Sequence, residues 1–364
     1  MADDIFSQLI DLFNQPGPVN WKLAREVANQ LAGGREPIDP WLAEEYQELV
    51  RLAQLQVQAA SNLPLGPALD AVPVDRATWA ERNLQSFRYI VEPLAGQFDT
   101  GGDASDPMSQ MLKPLGPALL GLQMGTMIGF LSHRILGQFD LGLPTAEQGD
   151  LLLVVPNIEA FATDHNLDAR QVRLWIALHE VTHQAEFSVP WVRGHFFELV
   201  DRYLSGVTID PGDIMERIQD FSDPAKVEEM MGDPAGLSSM FSTDEQRPTL
   251  DAIQAFMALM EGYGDFLMDR AAPKMLPDLD RMRAAMQSRR DEPRSGAEQL
   301  LHRLLGLELK AEQYRIGGQF CVEVERRWGR QALDQVWDEP DHLPTLSELA
   351  DPVAWAARVL LPDF

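Results

Sequence analysis

Cysteine is almost absent from this chain of 364 residues: Cys321 is the only one. A disulfide framework is therefore excluded, as is a zinc site built on several thiolates, and a lone thiol fits a reducing cytoplasm. Histidine is scarce as well, with seven residues, so any two at a ligand spacing are informative. Positive charge is outnumbered: 30 Lys and Arg stand against 56 Asp and Glu, a formal net charge of -26. Such a chain repels phosphate backbones and anionic membrane surfaces, which argues against nucleic acid as a partner. The opening MADDIF lacks a basic stretch leading into an apolar one, so no signal peptide is expected. Neither a nucleotide-phosphate loop nor a Rossmann glycine pattern occurs, which argues against a nucleotide-dependent enzyme. Internal repeats and long low-complexity segments are also missing.

Long apolar runs are few. Leu115 to Ser132 carries no charge, but its length is marginal for a membrane span. Gly121, Gly125 and Gly129 fall on one helix face, a pattern that favours helix pairing in a bilayer. The expectation is a buried helix whose glycines admit a close neighbour, with no membrane span.

What is present is apolar residue content of 45%, enough for a large core in one unit or two lobes. Apolar residues at spacings of three and four predict helices over Ile5–Phe13, Trp41–Ala60 and Asp75–Val91, separated by Pro-rich breaks at 16–18, 37–40 and 64–73. Leu151–Val155, ended by Pro156, is the one clear strand. A helix is predicted from an N-cap at Asp168 to Phe187, and Pro190 can open the next. Residues 232–248 read as a loop, Thr249–Met268 as a long helix, and Gln287–Glu298 as a linker. Thr345 and Glu348 have capping-box spacing, and Asp351-Pro352 marks another helix start. The fold class expected is mostly α, with a small sheet beside the Asp168–Phe187 helix. If there are two lobes, residues 1–188 form one and 189–364 the other.

Residues His179 to His183 read HEVTH. On a helix, positions i and i+4 lie one above the other, and two imidazoles there can bind one zinc ion at about 2.0–2.1 Å. Glu180, a third of a turn round, could take a proton from a zinc-bound water. Val172, Trp175 and Ile176 lie on the stripe leading to both histidines, which therefore face the interior, where an unpaired polar group is costly. The competing reading is two core histidines satisfied by local hydrogen bonds.

Catalytic zinc usually takes three protein ligands and keeps one position open. Four residues could supply the third. Glu261 and Asp265 are one turn apart on a predicted helix whose face also carries Ile253, Met257, Gly264 and Met268. Carboxylates in such a stripe need partners, which a metal for Glu261 and a ligand imidazole N–H for Asp265 would supply. Gly262 and Gly264 each cost about 1 kcal/mol in a helix, which makes sense if another backbone approaches there. His195 faces back toward His183 if the two helices fold about Val189, as a ligand or as a proton donor to the transition state. Glu198 has similar reach toward His179. Glu186 shares the histidine face and reads, like Glu198, as a solvated charge or one placed behind the ligands. His133, His165, His302 and His342 have no partner pattern and read as structural or surface residues.

HEVTH followed by a Glu-x-x-x-Asp helix resembles the gluzincin metallopeptidases. That resemblance implies zinc held by His179, His183 and Glu261, Glu180 as general base, and Asp265 orienting a ligand imidazole. MEGYGDF also resembles the corresponding aminopeptidase helix. Met260 stands where that helix has Asn, so recognition of a substrate amine is not implied. A wider resemblance spans nearly the whole chain. GLQMGTMIGFLSHRILGQFD, VVPNIEAF, LWIALHEVTHQAEFSVPWVRGH and HLPTLSELADPVAW resemble a bacterial zincin-like family of unestablished substrate. Its members carry names of zinc-dependent metalloproteases, hydrolases or proteins associated with deazaflavin-coenzyme biosynthesis. Where this chain has Tyr263 and Gly264, that resemblance implies His and Ala.

The function these residues favour is a zinc-dependent hydrolase of the metallopeptidase type acting on a peptide or amide substrate. Zinc would polarise the carbonyl, Glu180 would move the proton, and His195 or Tyr263 would hydrogen-bond the oxyanion. The rivals are a zinc-fold binding or regulatory protein without turnover and a cofactor-pathway accessory protein.

Overall fold

The structure is a computed structural model and describes residues 17–66, 69–97, 115–140, 143–144, 150–206, 246–272, 275–291 and 311–361. The predicted helix Ile5–Phe13, nearly all of the 232–248 loop and residues 292–298 of the predicted linker lie outside them.

Caps and apolar spacing account for most of the elements. Helix α1 (Trp21–Leu31) starts at Asn20, whose side chain accepts the Leu23 N–H at 3.0 Å. Helix α2 (Pro40–Ala60) has proline in its first turn, where the missing N–H costs nothing, and buries Tyr46, Leu49, Val50, Ala53 and Val57. Strand β1 (Ala71–Val74) leads into α3 (Arg76–Gln97), where Asp75 accepts the Thr78 N–H at 2.6 Å. Helix α4 (Leu115–Leu131) comes next, then the fully buried β2 (Leu151–Val154) and α5 (Val155–Asp164). After them run α6 (Ala169–Glu186), α7 (Val192–Ser205), α8 (Arg247–Ala271), α9 (Leu279–Asp291), α10 (Ala311–Trp328), α11 (Arg330–Asp334), α12 (Leu346–Ala350) and α13 (Pro352–Val359).

The mostly α class with a small sheet is as expected. The sheet contains a strand that periodicity did not reveal: β1 pairs with β2 in parallel, from Ala71↔Leu151 to Val74↔Val154. Pro73 hid it inside a proline-rich break, yet proline is tolerated on an edge strand. A second neighbour comes from the segment after α4, where Gly137 bridges Leu153 in antiparallel sense and Leu136 accepts the Val154 N–H at 2.9 Å. Two helix boundaries differ from expectation. Helix α7 opens at Val192, after a turn containing Pro190, and 287–291 complete α9 instead of starting a linker. The capping box at Thr345 and Glu348 and the Asp351 cap both form.

Two close helix crossings explain the glycines. A Cβ on Gly121 would lie 2.3 Å from the Asn20 carbonyl oxygen, and one on Gly125 2.5 Å from that of Ala24. Helix α4 thus packs backbone-to-backbone on α1, the close neighbour expected, but it is not buried all round: Leu122 and Phe130 are exposed. Among the described residues no helix is long and apolar enough to cross a membrane. At the second crossing a Cβ on Gly262 would meet the Gly317 carbonyl carbon at 2.2 Å, which brings α10 against α8.

Helix α6 runs through the middle of the hydrophobic core, in contact with α2, α5, α8 and β2. All its residues from Val172 to Glu186 are buried except His179, which is half-buried. A helix covered on every side is a central one, and its HEVTH side chains are therefore held by packing.

Candidate metal centre and active site

Helix α6 is fixed at both ends of its first half. Asp168 accepts the Gln171 N–H at 2.9 Å. Arg173 grips Glu159 with two bonds, Nε to Oε1 at 2.7 Å and Nη2 to Oε2 at 2.6 Å, and also pairs with Glu45 of α2. These ties set the rotation of the helix two turns before HEVTH.

Glu180 is fully buried. Its Oε2 accepts the Phe139 N–H at 2.7 Å, while Oε1 has no hydrogen-bond partner. The carboxyl lies directly against Gly137, where a Cβ would come within 2.2 Å of the Glu180 Cδ. Burial pushes the carboxyl up to about 8, opposed by the Phe139 N–H. In that range it can take up and release a proton near neutral pH.

His183 is also fully buried, and its ring stands edge-on to His179 with centroids 4.5 Å apart. Its Nδ1 is 2.7 Å from Glu186 Oε2, and its Nε2 has no hydrogen-bond partner. Burial pulls the imidazole's pKa down, but the Glu186 carboxylate beside it and the charges of Glu261 and Glu180 outweigh burial and raise it. Glu186 is itself fully buried, which raises its pKa against the opposing pull of His183. Gly264 of α8 faces this ring: a Cβ there would lie 3.2 Å from His183 Cε1 and 3.6 Å from Nε2.

Glu261 is half-buried on α8, and its charge reaches both His183 and Glu186. Asp265, read from the sequence as the carboxylate behind a ligand imidazole, is exposed, although its charge still acts on Glu186. The carboxylate bonded to His183 is Glu186. His195 is half-buried between aromatic rings, with centroids 5.8 Å from Trp191 and 6.3 Å from Phe256. Burial lowers its pKa, and the charges acting on it are those of Glu198, Arg202 and Asp341, none of them in HEVTH. Glu198 is exposed. Tyr263 is fully buried, its ring 4.9 Å from Trp337, and its hydroxyl accepts from Arg330 Nη2 at 2.8 Å. Burial raises its pKa, so it remains a phenol.

Among the described residues no three His, Cys, Asp or Glu side chains are gathered closely enough to hold a metal ion as they stand. The donor chemistry nevertheless fits zinc. Two imidazoles one helix turn apart and a nearby carboxylate are its usual ligands. A fully buried imidazole with one nitrogen bonded to a carboxylate and the other bonded to nothing is what a metal-ligating histidine presents. A surface cavity of 330 Å³ is lined by Arg88, Tyr89, Glu92 and Asp201, none of them a candidate here, so it does not mark a substrate channel to HEVTH.

Sequence reasoning missed two features. The Gly137–Phe139 segment, which receives Glu180, is far from α6 in the chain, and nothing in LGQFD announced it. Glu186 stands three residues beyond His183 on the same face, and spacing left open whether it is a solvated charge or one placed behind the ligands; its burial decides against solvation.

The profile of a family described as zincin-like metallopeptidase matches residues 19–356. A solved structure described as that of "a putative hydrolase with a novel fold" from Chloroflexus aurantiacus superposes with a TM-score of 0.69 at 29% identity, covering 93% of this chain and 98% of that one. No curated protein matches the chain.

Proposed function

Because the chain belongs to the zincin-like metallopeptidase family, we propose that it is a zinc-dependent hydrolase that cleaves a peptide or amide bond with Glu180 as general base. The observation that carries this is His183: fully buried, Nδ1 on a carboxylate, and Nε2 without a partner. In this reading the donors are His179 and His183 from α6 and Glu261 from α8. Zinc bound there supplies Lewis acidity.

The chain's own residues do the rest. Glu180 Oε2 accepts the Phe139 N–H, which holds the carboxyl in place. The attacking water would give its proton to the Glu180 carboxylate as its oxygen adds to the carbonyl carbon. Glu180 then passes that proton to the leaving nitrogen as the carbon–nitrogen bond breaks. His195 and Tyr263 are given no step: the half-buried His195 ring lies beside Trp191 and Phe256, and the Tyr263 hydroxyl accepts from Arg330.

A second reading, a zinc-fold binding protein without turnover, draws on the ungathered donors. Glu180→Gln separates the two. The hydrolase reading predicts that the purified protein cleaves members of a peptide and amide panel and that the variant keeps zinc but loses about 100-fold or more in rate. Equal rates for variant and parent remove Glu180 from the chemistry. Zinc without turnover on any substrate favours the binding protein.

A further inference from the structure

We propose that Glu186 is the positioning residue for His183, holding the proton on Nδ1 so that Nε2 is the lone-pair nitrogen. The carboxylate behind this ligand then comes from the same helix, three residues on, and not from Asp265. The proposal rests on the zinc reading above and adds to it the group that prepares the ligand.

The first support is geometric. Nδ1 and Glu186 Oε2 are 2.7 Å apart, and both side chains are completely buried. At i and i+3 on one helix they meet without any movement of backbone. In a neutral imidazole one nitrogen is a donor and the other an acceptor, and the partner of the first decides the second. An ionised carboxylate can only accept, so when Glu186 carries its charge the Nδ1 beside it, 2.7 Å away, holds the proton.

The second support is what the pair leaves over. A histidine kept only for packing would have both nitrogens satisfied, because an unpaired buried polar atom is costly. Here Nε2 has no partner, and neither does Glu186 Oε1. A carboxylate buried merely to neutralise a neighbour would be poorly placed, since Glu261, Asp265 and Glu180 already supply negative charge around His183 and Glu186. Burying one more acid is explained if it orients a ring whose other nitrogen meets a cation.

The third support is Gly264. Without a side chain there, the imidazole seats against α8, close enough that a Cβ would press on Cε1 at 3.2 Å. The ring is therefore held from two directions, by Glu186 at Nδ1 and by the α8 backbone beside Cε1. Asp265, one residue further on, is exposed and offers His183 no buried acceptor.

The test uses the full chain, stripped of metal and labelled with ¹⁵N-histidine. In the parent, the neutral His183 ring should be protonated on Nδ1. In Glu186→Leu it should shift toward the Nε2–H tautomer, and Glu186→Gln, whose amide oxygen still accepts, should restore Nδ1–H. In chelator competition, zinc affinity should fall by about 10–100-fold in Glu186→Leu, less in Glu186→Gln, and hardly at all in Asp265→Ala. If Glu186→Leu does not fold, the Glu186→Gln and Asp265→Ala affinities decide, and the proposal requires the former to be the weaker binder. An Nε2–H tautomer in the parent, or parental tautomer and affinity in Glu186→Leu, overturns it. Failure of the parent to bind zinc overturns the metal reading instead, and the tautomer result still stands or falls by itself.

Discussion

Gly137→Ala adds one carbon at the point where the buried base is seated. Its Cβ would lie 2.2 Å from Glu180 Cδ, 2.4 Å from Oε1 and 2.6 Å from Cγ, so the carboxyl has to move. Gly137 does not have the positive φ that only glycine tolerates, so the cost is collision and not backbone strain. Overpacking a tight core costs about 1–3 kcal/mol. Displacing the carboxyl also leaves the Phe139 N–H without its 2.7 Å acceptor, which costs about 1–3 kcal/mol more. Loss of chain entropy in the unfolded state offsets about 0.4–1 kcal/mol. We expect a net destabilisation of about 1–5 kcal/mol, from the same terms. Urea unfolding of the parent, Gly137→Ala, Glu180→Ala and the double variant forms a cycle that isolates the collision. Once Glu180 is cut to alanine the new methyl has room, so the coupling should exceed about 1 kcal/mol. Strict additivity, or a Gly137→Ala protein as stable as the parent, would refute the proposed seat of Glu180.

Two further outcomes follow from the geometry. Glu261→Ala should lower zinc affinity by at least about 10-fold while His195→Ala keeps the metal, because the neighbours of His195 are Trp191 and Phe256; isothermal titration of zinc into both variants checks this, and the reverse order would make the site a three-histidine one. At the C-terminal end, burial raises the Glu348 carboxyl, but its bonds to Arg358 and the Thr345 N–H outweigh burial and hold it below its ordinary 4.5. A depressed carboxyl contributes stability above its unfolded pKa and loses it as pH falls through the folded one. The parent's advantage over Glu348→Gln should therefore be about 1 kcal/mol at neutral pH, kept small by the exposure of Arg358, and should vanish as urea midpoints are followed below pH 4.5. An advantage that grows on acidification contradicts the pairing.

Much of the scaffold was legible because local chemistry decided it. Asp168, Thr345 and Asp351 cap helices where their side chains can reach free N–H groups, and Gly121 and Gly125 announced a close helix neighbour. The HEVTH spacing put two imidazoles on one face because helix geometry allows nothing else. What the sequence withheld depends on contacts between distant segments. Strand β1 exists because β2 pairs with it, despite Pro73. The receptor for Glu180 is a turn forty residues upstream, whose fitness lies in the missing side chain of Gly137. The order of importance of Glu186 and Asp265 could not be read from spacing, since both are acids near the histidine face. Burial separates them: α8 turns Asp265 outward while α6 carries Glu186 into the core.

The claim on which the rest depends is that His183 Nε2 is a metal nitrogen. Elemental analysis of the parent and of His183→Ala after exposure to zinc and removal of loose ions tests it directly. The account predicts about one zinc per parent chain and almost none in the variant. A parent that retains no transition metal, or a variant that retains as much as the parent, would contradict it.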